Sequence, residues 1–166
     1  MRVLLDNNVI LDAMLQRVPW RQDADDILKA AALGQVACAV TTHSLATSFY
    51  VGRKTLGAAA ARAAVRRNLT AFDILPIDRK TLVDADALTG SDFEDNILIA
   101  PAAIASLDVI VTRNVADFAH SPIPAMEPAD VLKKLAGQNP PAAAPGPRSR
   151  RSPSRGSRSR PGRRPP

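Results

Sequence analysis

Three groups of carboxylates, far apart in the chain, stand where chemistry could use them. Asp6 ends the apolar run Arg2-Val3-Leu4-Leu5, while Asp92, Glu94 and Asp95 crowd together just before a second apolar run. Asp117 follows the run Val109-Ile110-Val111 by six residues. Several carboxylates cannot share a pocket in ionised form unless something cationic neutralises them. Hard divalent ions do this: Mg²⁺ takes one or two carboxylates and fills its other positions with waters or phosphate oxygens. An ion held in this way acidifies bound water and shields phosphate charge, which phosphodiester hydrolysis requires. Each acid also has a structural use. Asp6 could cap the helix after the first strand, and Glu94 could be the third residue of a capping box begun by Ser91. Asp117 could cap a turn before Phe118.

The elements that must position these acids are legible from spacing. Apolar runs at 2–6, 36–40, 72–76 and 108–112 read as strands, with a short fifth at 123–126. Helical spacing follows Asp6, then runs from Pro19-Trp20 to the stop at Gly34 and over 41–54 and 58–69. Asp78 reads as the N-cap of a helix to Leu88, Ser91 opens one toward Ser106, and Pro128 is the first residue of a closing helix to Leu135. Strands alternating with helices predict a single-domain, three-layer α/β/α sandwich around a mainly parallel sheet. Ligands of such sheets bind outside the carboxyl ends of the strands, and there the three acidic regions meet.

The chain has 166 residues, 46% of them hydrophobic, and a net charge of +6 from 22 Lys and Arg against 16 Asp and Glu. That charge is unevenly placed. Residues 137–166 hold eight arginines, eight of the 14 prolines and no acid, so residues 1–136 keep 14 basic against 16 acidic side chains, a net of −2. The expected organisation is one domain, 1–136, followed by a disordered Pro-, Arg- and Ser-rich tail, 137–166. Such a tail would hold phosphates without sequence preference; it reads equally well as an extension without a role. The single cysteine, Cys38, excludes an intramolecular disulfide and a multi-thiolate zinc site and suits a reducing compartment. No apolar run approaches the ~20 residues that span a bilayer. The first residues read as a strand, not a secretory leader. A cytoplasmic protein with no membrane contact is therefore expected.

The residues around the acids resemble those of a known family. Met1-Arg-Val-Leu-Leu-Asp6-Asn-Asn8-Val-Ile-Leu-Asp12 resembles the opening of PIN domains, usually Asp-Thr-Asn-Val-Leu-Leu. Ser91-Asp-Phe-Glu94-Asp95-Asn-Ile-Leu-Ile-Ala100 looks like their central acidic helix, and Val111-Thr112-Arg113-Asn114-Val-Ala-Asp117-Phe118 like the strand-four motif of VapC-type toxins. The similarity covers roughly residues 1–132, in order. It implies a PIN-like fold and a metal-dependent endoribonuclease that hydrolyses RNA with Mg²⁺ or Mn²⁺. It further implies the toxin of a type II toxin–antitoxin pair, with a cognate antitoxin and a homodimeric state. Position by position, Asp6, Asp95 and Asp117 match the family's metal-binding acids, and Glu94 joins them as a further catalytic carboxylate. Asn8 matches the residue that steadies the Asp6 loop; Thr112 and Asn114 match polar neighbours of the last acid. Arg113 reads as a phosphate contact or, equally, as a solvated side chain.

Two departures stand out. Most PIN domains carry a Glu on the helix after strand two, where Thr47 stands here, so one ion is expected, with Glu94 compensating. Pro101 removes a bond to Ile97 and predicts a kink, worth ~3 kcal/mol or more in a regular helix interior. Both motivate a rival reading: a catalytically weakened PIN-like module that binds RNA or protein. A phosphoacceptor receiver domain also gathers acids at one sheet edge, but places its acceptor Asp on a later strand. His43 reads as a helix-start residue before an RNA contact, and His120 as solvated. Cys38 reads as a small buried hydrophobe, and Trp20 as a packing anchor or partner contact.

Overall fold

Strands covered by helices on both faces must be apolar at every position. Residues 3–5 and 109–111, Val-Leu-Leu and Val-Ile-Val, meet that demand and are fully buried. In the computed structural model, which describes residues 1–138, they lie at the centre of one sheet. Its strands are β1 (Arg2–Leu5), β2 (Ala37–Thr41), β3 (Asp73–Leu75), β4 (Val109–Val111) and β5 (Ala125–Met126). The order is β3-β2-β1-β4-β5 and every pairing is parallel. A receiver-like order would instead be 2-1-3-4-5; the sheet excludes that reading.

The helices are α1 (Asn7–Leu15), α2 (Arg21–Ala32), α3 (Thr42–Leu56), α4 (Ala58–Ala71), α5 (Arg79–Asp86), α6 (Phe93–Ile104) and α7 (Pro128–Gln138), with a 3-10 turn at Val115–Phe118. Side-chain alternation sorts each strand between two layers. Val3, Leu5, Val109 and Val111 pack with Ile10, Ile27 and Val131 on one face; Leu4 and Ile110 pack with Leu98, Ile99 and Phe118 on the other. The result is the expected three-layer sandwich. Full burial of a side chain such as Ile27 or Ile99 contributes roughly 1.5–3 kcal/mol.

Local chemistry moves several boundaries. Helix α2 begins at Arg21, not at Pro19, and Trp20 occupies its N-cap position without a capping bond, since an indole has no oxygen to accept one. Helix α6 is capped by Asp92 and not Ser91: Asp92 Oδ1 accepts from the Glu94 amide at 2.8 Å. That helix runs through Pro101 to Ile104, and the Pro101 carbonyl still accepts from Ala105 at 2.9 Å. The proline removes the bond to the Ile97 carbonyl, but only three helical residues follow it, so the cost falls on the last turn and the helix continues to its end. Helix α7 extends two residues past the expected domain end at 136. The rest of the basic segment lies outside the described residues. No helix among the described residues is long and apolar enough to cross a membrane.

Candidate active site

From β1 the chain moves to β2 and β3 on one side of the sheet, then returns to β4 and β5 on the other. The carboxyl ends of β1 and β4 flank that reversal, the usual ligand crevice of an open parallel sheet. The Asp6 amide donates to the Val111 carbonyl at 3.0 Å and ties the two ends together. Asp6 is buried at the N-cap position of α1, yet its side chain makes no capping bond. Instead Thr112 Oγ1 donates to Asp6 Oδ2 at 2.7 Å. The same hydroxyl accepts from Asn8 Nδ2 at 3.0 Å and from the Asn114 amide at 3.0 Å. A hydroxyl has one proton and two lone pairs; with both lone pairs filled, its proton is committed to Asp6.

The opposite wall is the first turn of α6. Glu94 and Asp95 line the same cavity as Asp6, Asn8, His43, Arg113 and Asn114. His43, in the first turn of α3, brings Nε2 to 3.2 Å from Glu94 Oε1 and 3.3 Å from Thr47 Oγ1. Thr47 is absent from the cavity wall and reaches the site only through His43. Asp117 is exposed on the 3-10 turn and faces Asp95 across an adjoining cleft that also holds Asp92 and His120. Arg113 is not solvated: its Nη1 donates to both oxygens of buried Asp12, at 2.8 and 3.0 Å. Its guanidinium also lies 4.2 Å from the centre of the Trp20 ring. Trp20 is thus a packing anchor for an arginine of the site. His120 is also held, 2.9 Å from Asn96 Oδ1, and Asn96 Nδ2 donates to the Gly90 carbonyl at 3.0 Å. A side chain at Gly90 would collide with both, so this contact fixes the loop ahead of the acidic turn.

Burial, and then the charges of Asp92, Asp6, Asp117 and Glu94, push Asp95 up to about 6. Burial also raises Asp6, with Glu94 adding to the effect; the Thr112 hydroxyl and the amides of Asn7 and Asn8 oppose it. These groups hold protons more tightly folded than unfolded, so stability falls as pH rises across the interval. Melting of the metal-free protein should accordingly show a decline in Tm as pH rises from about 4 through about 6, flattened in Asp95→Asn. A Tm that climbs over that range in both proteins would contradict this assignment of the repulsion.

The donors suit a hard cation. They are oxygens without a thiolate, because Cys38 is buried in β2 and its thiol is pushed up to about 12. Asn8 Oδ1, buried beside Asp6, has no hydrogen-bond donor. Among the described residues no three His, Cys, Asp or Glu side chains close tightly enough to enclose an ion between them. Mg²⁺ needs no such cage, as it takes one or two carboxylates and keeps waters.

The model of the PIN domain family matches residues 2–116. The chain belongs to the PIN domain family. Solved PIN-like structures share its fold at low identity. VapBC2 of Rickettsia felis, bound to a promoter DNA fragment, matches at 15% identity and a TM-score of 0.57, over 76% of this chain and 98% of that one. A toxin–antitoxin complex from Klebsiella pneumoniae matches at 23% and 0.56, over 76% and 97%. VapC20 of Mycobacterium tuberculosis, a sarcin–ricin loop cleaving toxin, matches at 13% and 0.54, over 65% and 86%. No match was found among curated proteins. Within this PIN domain, residue types and spacing located the acids near one sheet edge, but not the links that hold them. The Asp12–Arg113 pair joins positions 101 residues apart. The His43–Thr47 contact had a local signal in its four-residue spacing; the His43–Glu94 contact, 51 residues apart, had none.

Proposed function

We propose that this PIN domain is a metal-dependent endoribonuclease and the toxin of a toxin–antitoxin pair. The observation that carries the reading is the meeting of Asp6, Glu94 and Asp95 in one cavity at the switch point of the sheet, with Asp117 facing Asp95 in the adjoining cleft and Asp6 fixed by Thr112. Asp6, Asp95 and Asp117 would hold Mg²⁺ or Mn²⁺, with the unpartnered Asn8 oxygen beside them. When bound, the ion would shield phosphate charge and supply an acidified water. Thr112 keeps Asp6 aimed and opposes the effect of burial on its carboxyl, and Asn8 and Asn114 keep Thr112 aimed. Glu94, held by His43, is placed to orient the attacking water from the opposite wall. Arg113, immobilised by Asp12 and Trp20, presents a guanidinium at the rim for an adjacent phosphate. Chains from VapBC2 and from the Klebsiella pneumoniae toxin–antitoxin complex share the fold, which supports an antitoxin as partner; the reading also includes a second copy of the chain. The reading places the protein in the cytoplasm.

Purified protein should cleave RNA with Mg²⁺ or Mn²⁺ and stop when a chelator is added; chelator-insensitive cleavage would remove the metal from the reading. Thr47 in place of the family's Glu, and acids too loosely placed to enclose an ion, favour a second reading, a PIN module that binds without cutting. That module would bind RNA or a protein partner and show no metal-dependent turnover. Removing residues 139–166 should leave kcat unchanged and weaken RNA affinity at low salt, because the arginines there act through counterion release. Filter binding and single-turnover cleavage test this together; loss of cleavage from a folded truncation would put the chemistry partly in the tail.

A further inference from the structure

We propose that the outer face of α3, from His43 to Lys54, is the track by which single-stranded RNA reaches the acidic cavity, with Tyr50 as its stacking platform. The choice of RNA as occupant rests on the nuclease reading above. His43, Thr47, Tyr50 and Lys54 follow one another at spacings of four, three and four residues, which puts them on one helix face. The opposite face buries Ser44, Leu45, Ser48 and Gly52. The stripe begins inside the cavity, where His43 meets Glu94, and ends about 16 Å away at 1.5 Å per residue.

Charge separates this region from the rest of the domain. Residues 42–72, which make up α3 and α4, contain five Lys and Arg and no Asp or Glu. The remaining described residues carry nine basic against 16 acidic side chains, so a domain of net −2 displays a +5 hairpin beside a −7 remainder. Tyr50 is 52% exposed, with Lys54 Nζ 4.2 Å and the Arg53 guanidinium 5.2 Å from its ring centre. On the α4 side Arg62 lies 5.9 Å from the Phe49 ring. An exposed ring bracketed by cations offers a base a stacking face and offers the flanking phosphates their counter-charges. A second copy of the same face would bring +5 against +5. An acidic peptide would use the cations and leave the ring and the path to His43 unused.

The test uses the full chain carrying Asp95→Asn, which holds turnover off, and a fluorescent single-stranded oligoribonucleotide. Tyr50→Ala should weaken binding at least ~5-fold, and Tyr50→Phe should restore it. Arg53→Glu with Lys54→Glu should reduce the slope of log affinity against log salt by about 1.4, the value for two phosphate contacts on a single strand. The charge-matched pair Lys133→Glu and Lys134→Glu on α7 should change neither. In the otherwise wild-type chain, the stripe variants should raise KM and leave kcat unchanged. Equal affinity across the stripe variants and the α7 control would overturn the proposal. So would a change in oligomeric state, or in binding of a poly-glutamate peptide, without a change in RNA binding. Metal-dependent cleavage that ignores the stripe sinks the track and spares the nuclease. Stripe-dependent RNA binding with no turnover in the wild-type chain sinks the nuclease and spares the track.

Discussion

Asp95→Asn is expected to lower kcat/KM for RNA by more than ~100-fold, the upper range for residues that only support a metal ligand. Its thermal stability at neutral pH should rise slightly at the same time. Both effects have one origin. Asp95 is the carboxylate on which the fields of Asp92, Asp6, Asp117 and Glu94 add to burial. Ionised, it is repelled by its neighbours; with a divalent cation present, that same concentration of charge becomes affinity. Asparagine keeps the shape, removes the repulsion and removes the ligand. Activity and stability should therefore move in opposite directions, a signature that a purely structural carboxylate does not give. Parallel melts and single-turnover assays on the two proteins measure it. Cleavage within tenfold of wild type would take Asp95 out of the machinery.

Asp12→Ala should be the most destabilising substitution near the site, by about 3 kcal/mol, the lower end of the range for breaking a buried pair. Asp12 is 1% exposed and receives two hydrogen bonds from Arg113, with Arg17 Nη1 a further 3.6 Å contact. Without it Arg113 retains only its contact with Trp20 and loses both its anchor and its counter-charge. Arg113 is partly exposed, which places the effect at the low end. The double variant Asp12→Ala with Arg113→Leu should recover much of the loss, since a buried pair replaced by apolar side chains is often close to neutral. Chemical denaturation of the wild type, single and double variants reads this directly; a single-variant loss under 1 kcal/mol would show that Arg113 finds another partner. Asp12→Ala should also raise KM, because Arg113 would no longer be held at the cavity rim.

The sheet, its parallel sense and the acids at its edge were legible because each depends on short-range pattern. Val3-Leu4-Leu5, followed at once by an Asp, reads as a strand buried on both faces that emerges at its carboxyl end. The capping of α6 was misread by one residue because Ser91 and Asp92 are both good caps; geometry selected the aspartate. What the sequence could not supply was partnership across distance. Asp12 reads as the end of an amphipathic turn until Arg113 arrives from the far side of the sheet, and His120 reads as solvated until the Gly90 loop brings Asn96 to it. Thr47 marks the limit most clearly. It was placed correctly on the helix after β2, but its partner is His43, one turn earlier, and His43 is the residue that enters the cavity.

The most direct measurement is a Mn²⁺ titration of RNA cleavage by the full chain beside its Asp6→Asn variant. Cleavage by the wild type should start from zero in chelator and saturate with the ion, and the variant should stay flat across the titration. Equal cleavage by the two proteins, or cleavage by the wild type in chelator, would contradict the assignment of the four acids to a metal-dependent ribonuclease site.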